Sequence, residues 1–181
     1  MISLTDILTH TSGWFLNETE PSPEILSRQI AKQNEWLNLT EQPIEEFWHT
    51  PSPPEYIRRA LQLANLKKTD IVLDVGAGDC RLGLMALQAY QVKKVYAIEA
   101  NPLIVELTRP LVEDFPQIIY TEGLFQTVAF AEDITMAFFL AWHCSIQTIE
   151  KLAARLRKET LCRMVIHNSG RPFDFTVEIL R

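Results

Sequence analysis

The sequence predicts a doubly wound α/β domain with a helical N-terminal extension. Two observations predict it. Strand-like and helix-like apolar patterns alternate from about residue 55 onward, and a glycine turn, "VGAGD", overlaps the end of the first strand. Strands that alternate with helices form a mostly parallel sheet with helices on both faces. A chain of 181 residues suits one domain of this kind.

The first fifty residues are predicted to form the extension. Pro23 opens a segment in which apolar residues recur at near-helical spacing, namely Ile25, Leu26, Ile30 and Leu37. The stretch 49–56, "HTPSPPEY", is then extended, because each proline pushes its predecessor away from helical geometry. We therefore divide the chain into a helical extension and lid over residues 1–48 and a ligand-binding domain over residues 49–181.

The elements of the domain follow from their apolar periodicity. Strands are predicted over residues 71–75, 92–98, 118–121, 134–140 and 161–167, and the tail "PFDFTVEILR" adds one more. Helices are predicted over about residues 55–66 and 145–158, with one ending near residue 90 and one starting at Asn101-Pro102. Asn101 suits the N-cap and Pro102 the first helical position, whereas Pro110 should shorten or kink that helix. The sequence predicts one C-terminal strand fewer than we expect for this fold class.

Composition excludes several classes of protein. The formal net charge is −6 and basic residues are dispersed, which disfavours nucleic-acid partners. The longest apolar run, near residues 136–142, is far shorter than the about 20 residues of a membrane helix, and no signal-peptide pattern starts the chain. Cys80, Cys144 and Cys162 are odd in number and lack metal-type spacing, which favours a reduced cytoplasmic protein without metal.

The glycine turn raises the question of its ligand. A dinucleotide fingerprint, G-x-G-x-x-G, needs three glycines, but only Gly76 and Gly78 fit and Arg81 takes the third position. Asp79 at the following helix N-terminus favours the helix dipole and repels a pyrophosphate. The turn therefore indicates a ligand that lacks phosphate and carries positive charge.

S-adenosylmethionine has these properties, because its sulfonium and ammonium groups are cationic and its ribose hydroxyls need an acceptor. Glu99 ends the second strand, about 25 residues after Asp74. Open α/β sheets bind ligands outside the carboxyl ends of their strands, so Glu99 and Asp79 are expected to lie near each other. Together they predict a binding site for this cofactor.

The segments "VLDVGAGDCRLGLMAL" and "VYAIEANPLIVELTR" resemble the class I S-adenosylmethionine-dependent methyltransferases, whose glycine motif reads acid-x-G-x-G-x-G. Asp74, Gly76 and Gly78 match this motif, and Cys80 replaces its last glycine. The resemblance spans residues 49–168 and implies a Rossmann-like methyltransferase sheet.

A narrower resemblance concerns the segment before the turn. "PSPPEYIRRALQLANLKKTDIVLDVGAGDCR" is similar to the small protein-lysine methyltransferases of archaea and mitochondria. Ser52 takes the place of the threonine in their proline-rich segment, and Asp79 and Arg81 match directly. This resemblance implies protein lysine as the methyl acceptor.

The same resemblance implies roles for individual residues. Residues 49–53 would fold over the cofactor, Gly76 and Gly78 would approach its methionine and ribose portions, and Glu99 would bind the ribose hydroxyls. The family usually places an acid beside the adenine, after the glycine that follows the third strand. Here that acid is missing, and Glu122, directly before Gly123, is the candidate.

Candidate residues for chemistry follow the fourth strand. Trp142 could attract a cation by its ring face, and His143 could accept a proton. Phe138, Phe139 and Trp142 are expected to form an apolar mouth for the acceptor. Because methyl transfer depends mainly on orientation, a dedicated base is optional.

These observations lead to one main hypothesis and two alternatives. The main hypothesis is an S-adenosylmethionine-dependent methyltransferase acting on lysine in a protein substrate. The first alternative is a catalytically silent module that binds the cofactor and protein partners, because the glycine motif is altered, the acid after Gly123 is missing and the C-terminus is short. A nucleotide-dependent oxidoreductase is a distant third, opposed by Asp79 and Arg81. The sequence leaves the methyl acceptor's identity and the oligomeric state open.

Overall fold

A computed structural model describes residues 22–40, 51–140, 146–167 and 175–179. Six strands form one sheet in the order β3-β2-β1-β4-β5-β6, in which β1 to β5 are parallel and β6 is antiparallel to β5. The strands are β1 (Ile71–Val75), β2 (Lys94–Glu99), β3 (Ile118–Glu122), β4 (Met136–Phe139), β5 (Arg163–His167) and β6 (Phe175–Ile179). The helices are α1 (Pro23–Thr40), α2 (Pro54–Ala64), α3 (Arg81–Tyr90), α4 (Pro102–Val112) and α5 (Ile146–Glu159).

Apolar side chains bury both faces of the sheet. All five residues of β1 are buried, and they alternate between two hydrophobic clusters. Val72 belongs to the cluster that contains residues of α2 and α3, whereas Leu73 and Val75 belong to the cluster that contains residues of α5. Because successive side chains of a strand point to opposite faces, helices cover both faces. The doubly wound fold predicted from the sequence is confirmed.

The strand order creates a crevice at one edge of the sheet. After β1 the chain forms β2 and β3 on one side, and it then crosses over to form β4 and β5 on the other. The direction of winding therefore reverses between β1 and β4. In open α/β sheets, ligands bind at this reversal, outside the carboxyl ends of the strands. The glycine turn follows β1 at that position.

Three predicted strands start two residues too early, at residues 92, 134 and 161 instead of Lys94, Met136 and Arg163. β2 begins at Lys94 rather than at residue 92, because Gln91 is left-handed (φ 56°) and the Val92 N–H donates to Ala86 O at 3.4 Å, which completes the end of α3. β4 covers only Met136–Phe139, whereas the apolar pattern predicted residues 134–140. Apolar burial extends beyond the residues that pair in the ladder.

The ends of α4 agree with the capping signals. The Asn101 side chain accepts a hydrogen bond from the Leu103 N–H at 3.0 Å, and Pro102 takes the first turn. The helix continues through Pro110 and ends two residues later at Val112. Asn101 is confirmed as the N-cap.

The predicted aromatic mouth on β4 is wrong. Phe138 is fully buried in the cluster on one face, and Phe139 is 3% exposed in the cluster on the other face. Both rings pack in the core, because β4 is covered on its two sides like the other central strands. Trp142 and His143 lie outside the described residues.

Candidate cofactor site

The glycine turn between β1 and α3 has three residues with positive φ. They are Gly76 (φ 72°), Gly78 (φ 54°) and Cys80 (φ 60°). Glycine adopts this geometry without steric cost, whereas a cysteine does so with strain. The N–H groups of Gly76 and Ala77 both donate to Ile98 O at 2.9 Å, so the turn is fastened to β2.

Glu99 supports the same turn from the end of β2. Its carboxylate accepts hydrogen bonds from the Gly78 N–H at 2.9 Å and from the Asn101 N–H at 2.7 Å. Burial raises the pKa of Glu99, and these amide hydrogen bonds oppose the rise. The structure therefore brings Glu99 beside the glycine turn, as the order of the strands predicted.

Two hydroxyl groups hold the other side of the turn, and the sequence analysis missed both. Tyr120 on β3 donates to Gly78 O at 2.5 Å, and Thr108 on α4 donates to the same oxygen at 3.2 Å. Hydroxyl residues are common on strands and helices, so no sequence signal distinguishes these two. Together with Glu99, they fix the peptide groups of Gly78 from three elements.

Asp79 and Arg81 form a buried ion pair within the turn. The Arg81 Nε lies 2.9 and 2.8 Å from the two carboxylate oxygens of Asp79, and Arg81 Nη2 also contacts Oδ2. The Asp79 side chain is 2% exposed, and the Arg81 side chain is 8% exposed. Asp79 thus presents less net charge to a ligand than the sequence analysis assumed, because Arg81 offsets it locally.

Arg81 also connects the turn to the proline-rich segment. Its Nη1 donates to Ser52 O at 3.1 Å. Ser52 and Pro51 line an open cleft together with the glycine turn. The other lining residues are Ile57, Asp74, Gly76, Ala77, Gly78, Asp79, Arg81, Leu82 and Leu140. The structure therefore brings Ser52, Asp74, Gly76, Gly78 and Asp79 together.

Asp74 is the most unusual group of this cleft. It is 4% exposed, and its Oδ2 is buried without a hydrogen-bond partner among the described residues. Burial raises its pKa to about 7; the charges of Asp79 and Glu99 add to the rise, and a hydrogen bond from the Gly83 N–H opposes it. A buried carboxylate oxygen without a partner is costly, so a donor on a ligand would stabilise it.

Glu122 lies at the end of β3, opposite Glu99 in the ladder. Its carboxylate contacts Arg28 of α1, and it does not line the cleft. Arg28 also contacts Glu106 on α4 at 2.7 Å. The structure therefore separates Glu122 from the Asp74 end of the site and places α1 beside it.

Other site classes find no support in the part of the chain that the structure describes. No group of three or more His, Cys, Asp or Glu residues there is arranged to hold a metal ion. None of the helices described is long and apolar enough to cross a membrane.

Comparisons with known proteins agree on the class. A protein-lysine N-methyltransferase of Saccharolobus islandicus (strain REY15A) is 28% identical over 124 residues, covering 66% of this chain and 74% of that protein. An RNA methyltransferase of Salinibacter ruber, in complex with S-adenosyl-L-homocysteine, matches with a TM-score of 0.59 at 22% identity. The match covers 67% of this chain and 81% of that one.

M. jannaschii TYW2 in complex with AdoMet matches with a TM-score of 0.52 and 19% identity, over 68% of this chain and 54% of that one. No protein-family model matches the chain. The chain therefore has the fold of the class I S-adenosylmethionine-dependent methyltransferases, as the resemblance implied.

Proposed function

We propose that this protein binds S-adenosylmethionine and transfers its methyl group to lysine in a protein substrate. The observation that carries the proposal is Asp74, whose buried Oδ2 has no partner among the described residues and whose side chain lines the cleft at the glycine turn. An ammonium group would supply both a donor and an opposite charge there. The amino-acid end of S-adenosylmethionine carries such a group.

The charge balance of the site also favours a cationic ligand. The negative charges of Asp79 and Glu99 both raise the pKa of Asp74, and Arg81 pairs with Asp79. The remaining negative charge would repel the pyrophosphate of NAD. The preference against NAD therefore depends on the three carboxylates together rather than on Asp79 alone.

Glu99 retains the capacity to bind ribose hydroxyls. Its carboxylate accepts amide hydrogen bonds from Gly78, Asn101 and Ala100, whereas an ionised carboxylate offers about four acceptor positions. These amide hydrogen bonds also fix the orientation of the carboxylate. We therefore keep Glu99 as the proposed ribose-binding residue and Ser52, Gly76 and Gly78 as walls of the same site.

When bound, S-adenosylmethionine supplies an electrophilic methyl group, which an acceptor lone pair attacks in line while the methyl–sulfur bond breaks and S-adenosylhomocysteine leaves as the neutral thioether. The chain's contribution is orientation: the fixed glycine turn and the apolar walls at Ile57, Leu82 and Leu140 would hold the methyl donor in one position. Trp142 and His143 remain proposals for the acceptor side.

Two observations support lysine rather than RNA as the acceptor. The relative from Saccharolobus islandicus bears a protein-lysine name. The chain carries a formal net charge of −6, which attracts a lysine-rich protein and repels an RNA backbone. RNA, the substrate class in the name of the Salinibacter ruber protein, is therefore an outcome that the experiment must distinguish.

The conformation of Cys80 argues against the silent-module alternative. One of the three grounds for that alternative was the missing third glycine of the motif. Cys80 takes φ 60°, within the left-handed region that a glycine would use, and it is fully buried. The substitution therefore preserves the shape of the turn, and the altered motif does not by itself indicate lost binding.

Calorimetric titration tests the cofactor. The protein should bind S-adenosylmethionine and its demethylated product, but not NAD. Glu99→Ala should weaken binding by roughly 1–3 kcal/mol, the usual size for hydrogen bonds to a charged group. Glu113→Ala, which changes an exposed acid beyond α4, is the matched control and should bind like wild type. Unchanged affinity of a folded Glu99→Ala protein would remove Glu99 from the site.

Label transfer tests the acceptor. The protein is incubated with methyl-labelled cofactor and either a protein extract or RNA, and the label is located by mass spectrometry. Label on lysine supports the proposal. Label on RNA or on another residue type contradicts the lysine assignment, and tight cofactor binding without transfer to either favours the silent module.

A further inference from the structure

Helix α1 lies across the edge of the sheet where β2 and β3 end. Gln29 Nε2 donates to Asn101 Oδ1 at 3.1 Å, two residues after β2. Arg28 contacts Glu122 at the end of β3. Further along the helix, Glu35 Oε1 accepts a hydrogen bond from Thr127 Oγ1 at 2.9 Å. These contacts place α1 over the part of the edge that follows Glu99 and Glu122.

The open cleft does not extend under α1. Its lining residues come from the proline-rich segment, α2, the end of β1, the glycine turn, the start of α3 and the residue after β4, and they do not include Glu99 or Glu122. Under the proposed function, Asp74 holds the amino-acid end of the cofactor, and Glu99 faces the ribose. The adenosine half would then lie between the sheet edge and α1.

Arg28 connects α1 to both β3 and α4. Its Nη2 contacts the carboxylate of Glu122 on β3, and its Nη1 contacts the carboxylate of Glu106 on α4. The Glu122 side chain is 21% exposed, whereas that of Glu106 is 45% exposed. The Glu122 contact is therefore less screened by water and should contribute more.

We infer that Arg28 is a positioning residue for the adenosine half of S-adenosylmethionine, because it holds α1 across the ends of β2 and β3 through Glu122 and Glu106. This inference rests on the proposed function. Arg28 acts through α1 and Glu122 rather than on the reacting atoms. Its loss should let the cofactor leave faster without changing how the methyl group is oriented.

Two ligands separate the ends of the site. S-adenosylmethionine has both the adenosine and the amino-acid end, whereas 5′-methylthioadenosine has the adenosine but no ammonium. Arg28→Gln should weaken both ligands by about the same factor, about twofold to fivefold, the size of a partly exposed ion pair. Asp74→Asn should weaken only S-adenosylmethionine. A general loss of structure would not produce this division.

Three further variants serve as controls. Arg59→Gln removes an exposed arginine from α2 and should bind both ligands like wild type. Glu106→Gln removes only the more exposed partner and should weaken binding less than Arg28→Gln. Arg28→Lys keeps the charge but lacks the planar fork that spans two carboxylates, so its affinity should fall between wild type and Arg28→Gln.

The dissociation rate of each ligand, measured by stopped flow, tests the role of Arg28 most directly. Arg28→Gln should raise the dissociation rate of both ligands with little change in kcat. Unchanged affinities, or faster and tighter binding in Arg28→Gln, would overturn the role of Arg28 while leaving the proposed function intact. A wild-type protein that binds neither ligand would instead refute the proposed function.

Discussion

The carboxylate of Asp74 should make cofactor binding depend on pH. Its pKa of about 7 in the free protein means that, near neutral pH, a large part of the population is protonated. Only the ionised form pairs with an ammonium group. Affinity for S-adenosylmethionine should therefore rise several-fold between pH 6 and pH 8, measured by calorimetry, and binding should release protons. Asp74→Asn should bind more weakly and with a nearly flat pH profile; a sloping profile in that variant would assign the dependence to another group.

The same group should make the free protein less stable as pH rises. The folded pKa of Asp74 lies above its ordinary value of 3.8, so the folded state binds the proton more tightly than the unfolded state does. The free energy of unfolding therefore falls between about pH 4 and pH 7, by at most about 1.4 kcal/mol per pH unit. Urea denaturation at several pH values should show a shallower decline in Asp74→Asn. An equal decline in both proteins would contradict the titration of Asp74 in this range.

The residues of the site could be predicted to different degrees. Gly76, Gly78 and Glu99 follow from local order, because a strand end and a glycine turn fix where they lie. The pairing of Asp79 with Arg81 could have been predicted, since both residues belong to one turn. The sequence analysis instead treated the charge of Asp79 as available to the ligand. The hydrogen bonds from Tyr120 and Thr108 depend on how β3 and α4 pack, which periodicity does not specify.

At the scale of elements, two glycines of the β1–α3 unit should separate binding from stability. Gly76 has φ 72°, lines the cleft, and a Cβ added there would meet no atom within 4 Å. Gly76→Ala should cost about 1–2 kcal/mol of backbone strain, while its methyl group occupies cofactor space. We expect at least about a tenfold loss of S-adenosylmethionine affinity, by calorimetry.

Gly83→Ala is the comparison within the same unit. A Cβ there would lie 2.9 Å from Val95 Cγ1 and 3.0 Å from Cys80 Sγ, both in the buried cluster. Overpacking of this kind typically costs about 1–3 kcal/mol of stability. Urea denaturation should show that loss, with affinity changed little in the folded fraction. If Gly83→Ala reduced affinity as strongly as Gly76→Ala, the cleft would not be the binding site.

The N-terminal segments should serve binding rather than folding. The buried clusters of the sheet begin at Ile57, whereas residues before Pro54 contact the glycine turn and the ends of β2 and β3. Deleting residues 1–53 should therefore abolish measurable cofactor affinity while circular dichroism still shows a cooperatively melting domain. A truncated protein that binds the cofactor equally well would assign residues 1–53 another role, such as partner docking.

The elements themselves were largely predictable, and their contacts were not. Short apolar runs located β1 and β3 to within a residue. β1 is buried throughout, as the run in a central parallel strand predicts, whereas β3 lies at the edge of the sheet and only Ile118 is buried. The position of α1 was not predictable, since its contacts with Asn101, Glu106 and Glu122 are polar and distant in sequence. For the same reason, the sequence could propose a lid but not identify Arg28.

At the scale of the whole molecule, the negative net charge and the acidic site should favour a cationic acceptor. Such an acceptor must lose its proton before it attacks the methyl group. A free lysine has a pKa near 10.4, so at pH 7 well under about 1% of it carries the required lone pair. The positive sulfonium would repel the ammonium form and increase the neutral fraction. We therefore predict that turnover on lysine rises with pH from 7 to 10 at saturating cofactor. The measurement is initial rate with methyl-labelled cofactor and a lysine-containing protein substrate.

Variants at two residues outside the described part of the chain test how the proton is lost. If desolvation and orientation are sufficient, His143→Ala should leave the rate and its pH profile nearly unchanged, because no dedicated base is needed. Trp142→Ala should reduce turnover more than cofactor binding, since a cation–π contact contributes on the order of 1 kcal/mol at the acceptor rather than at the cofactor. A rate that falls steeply in His143→Ala, together with loss of the pH dependence, would instead identify His143 as a general base. A rate that is flat from pH 7 to 10 in the wild-type protein would contradict attack by a lysine that deprotonates within this range.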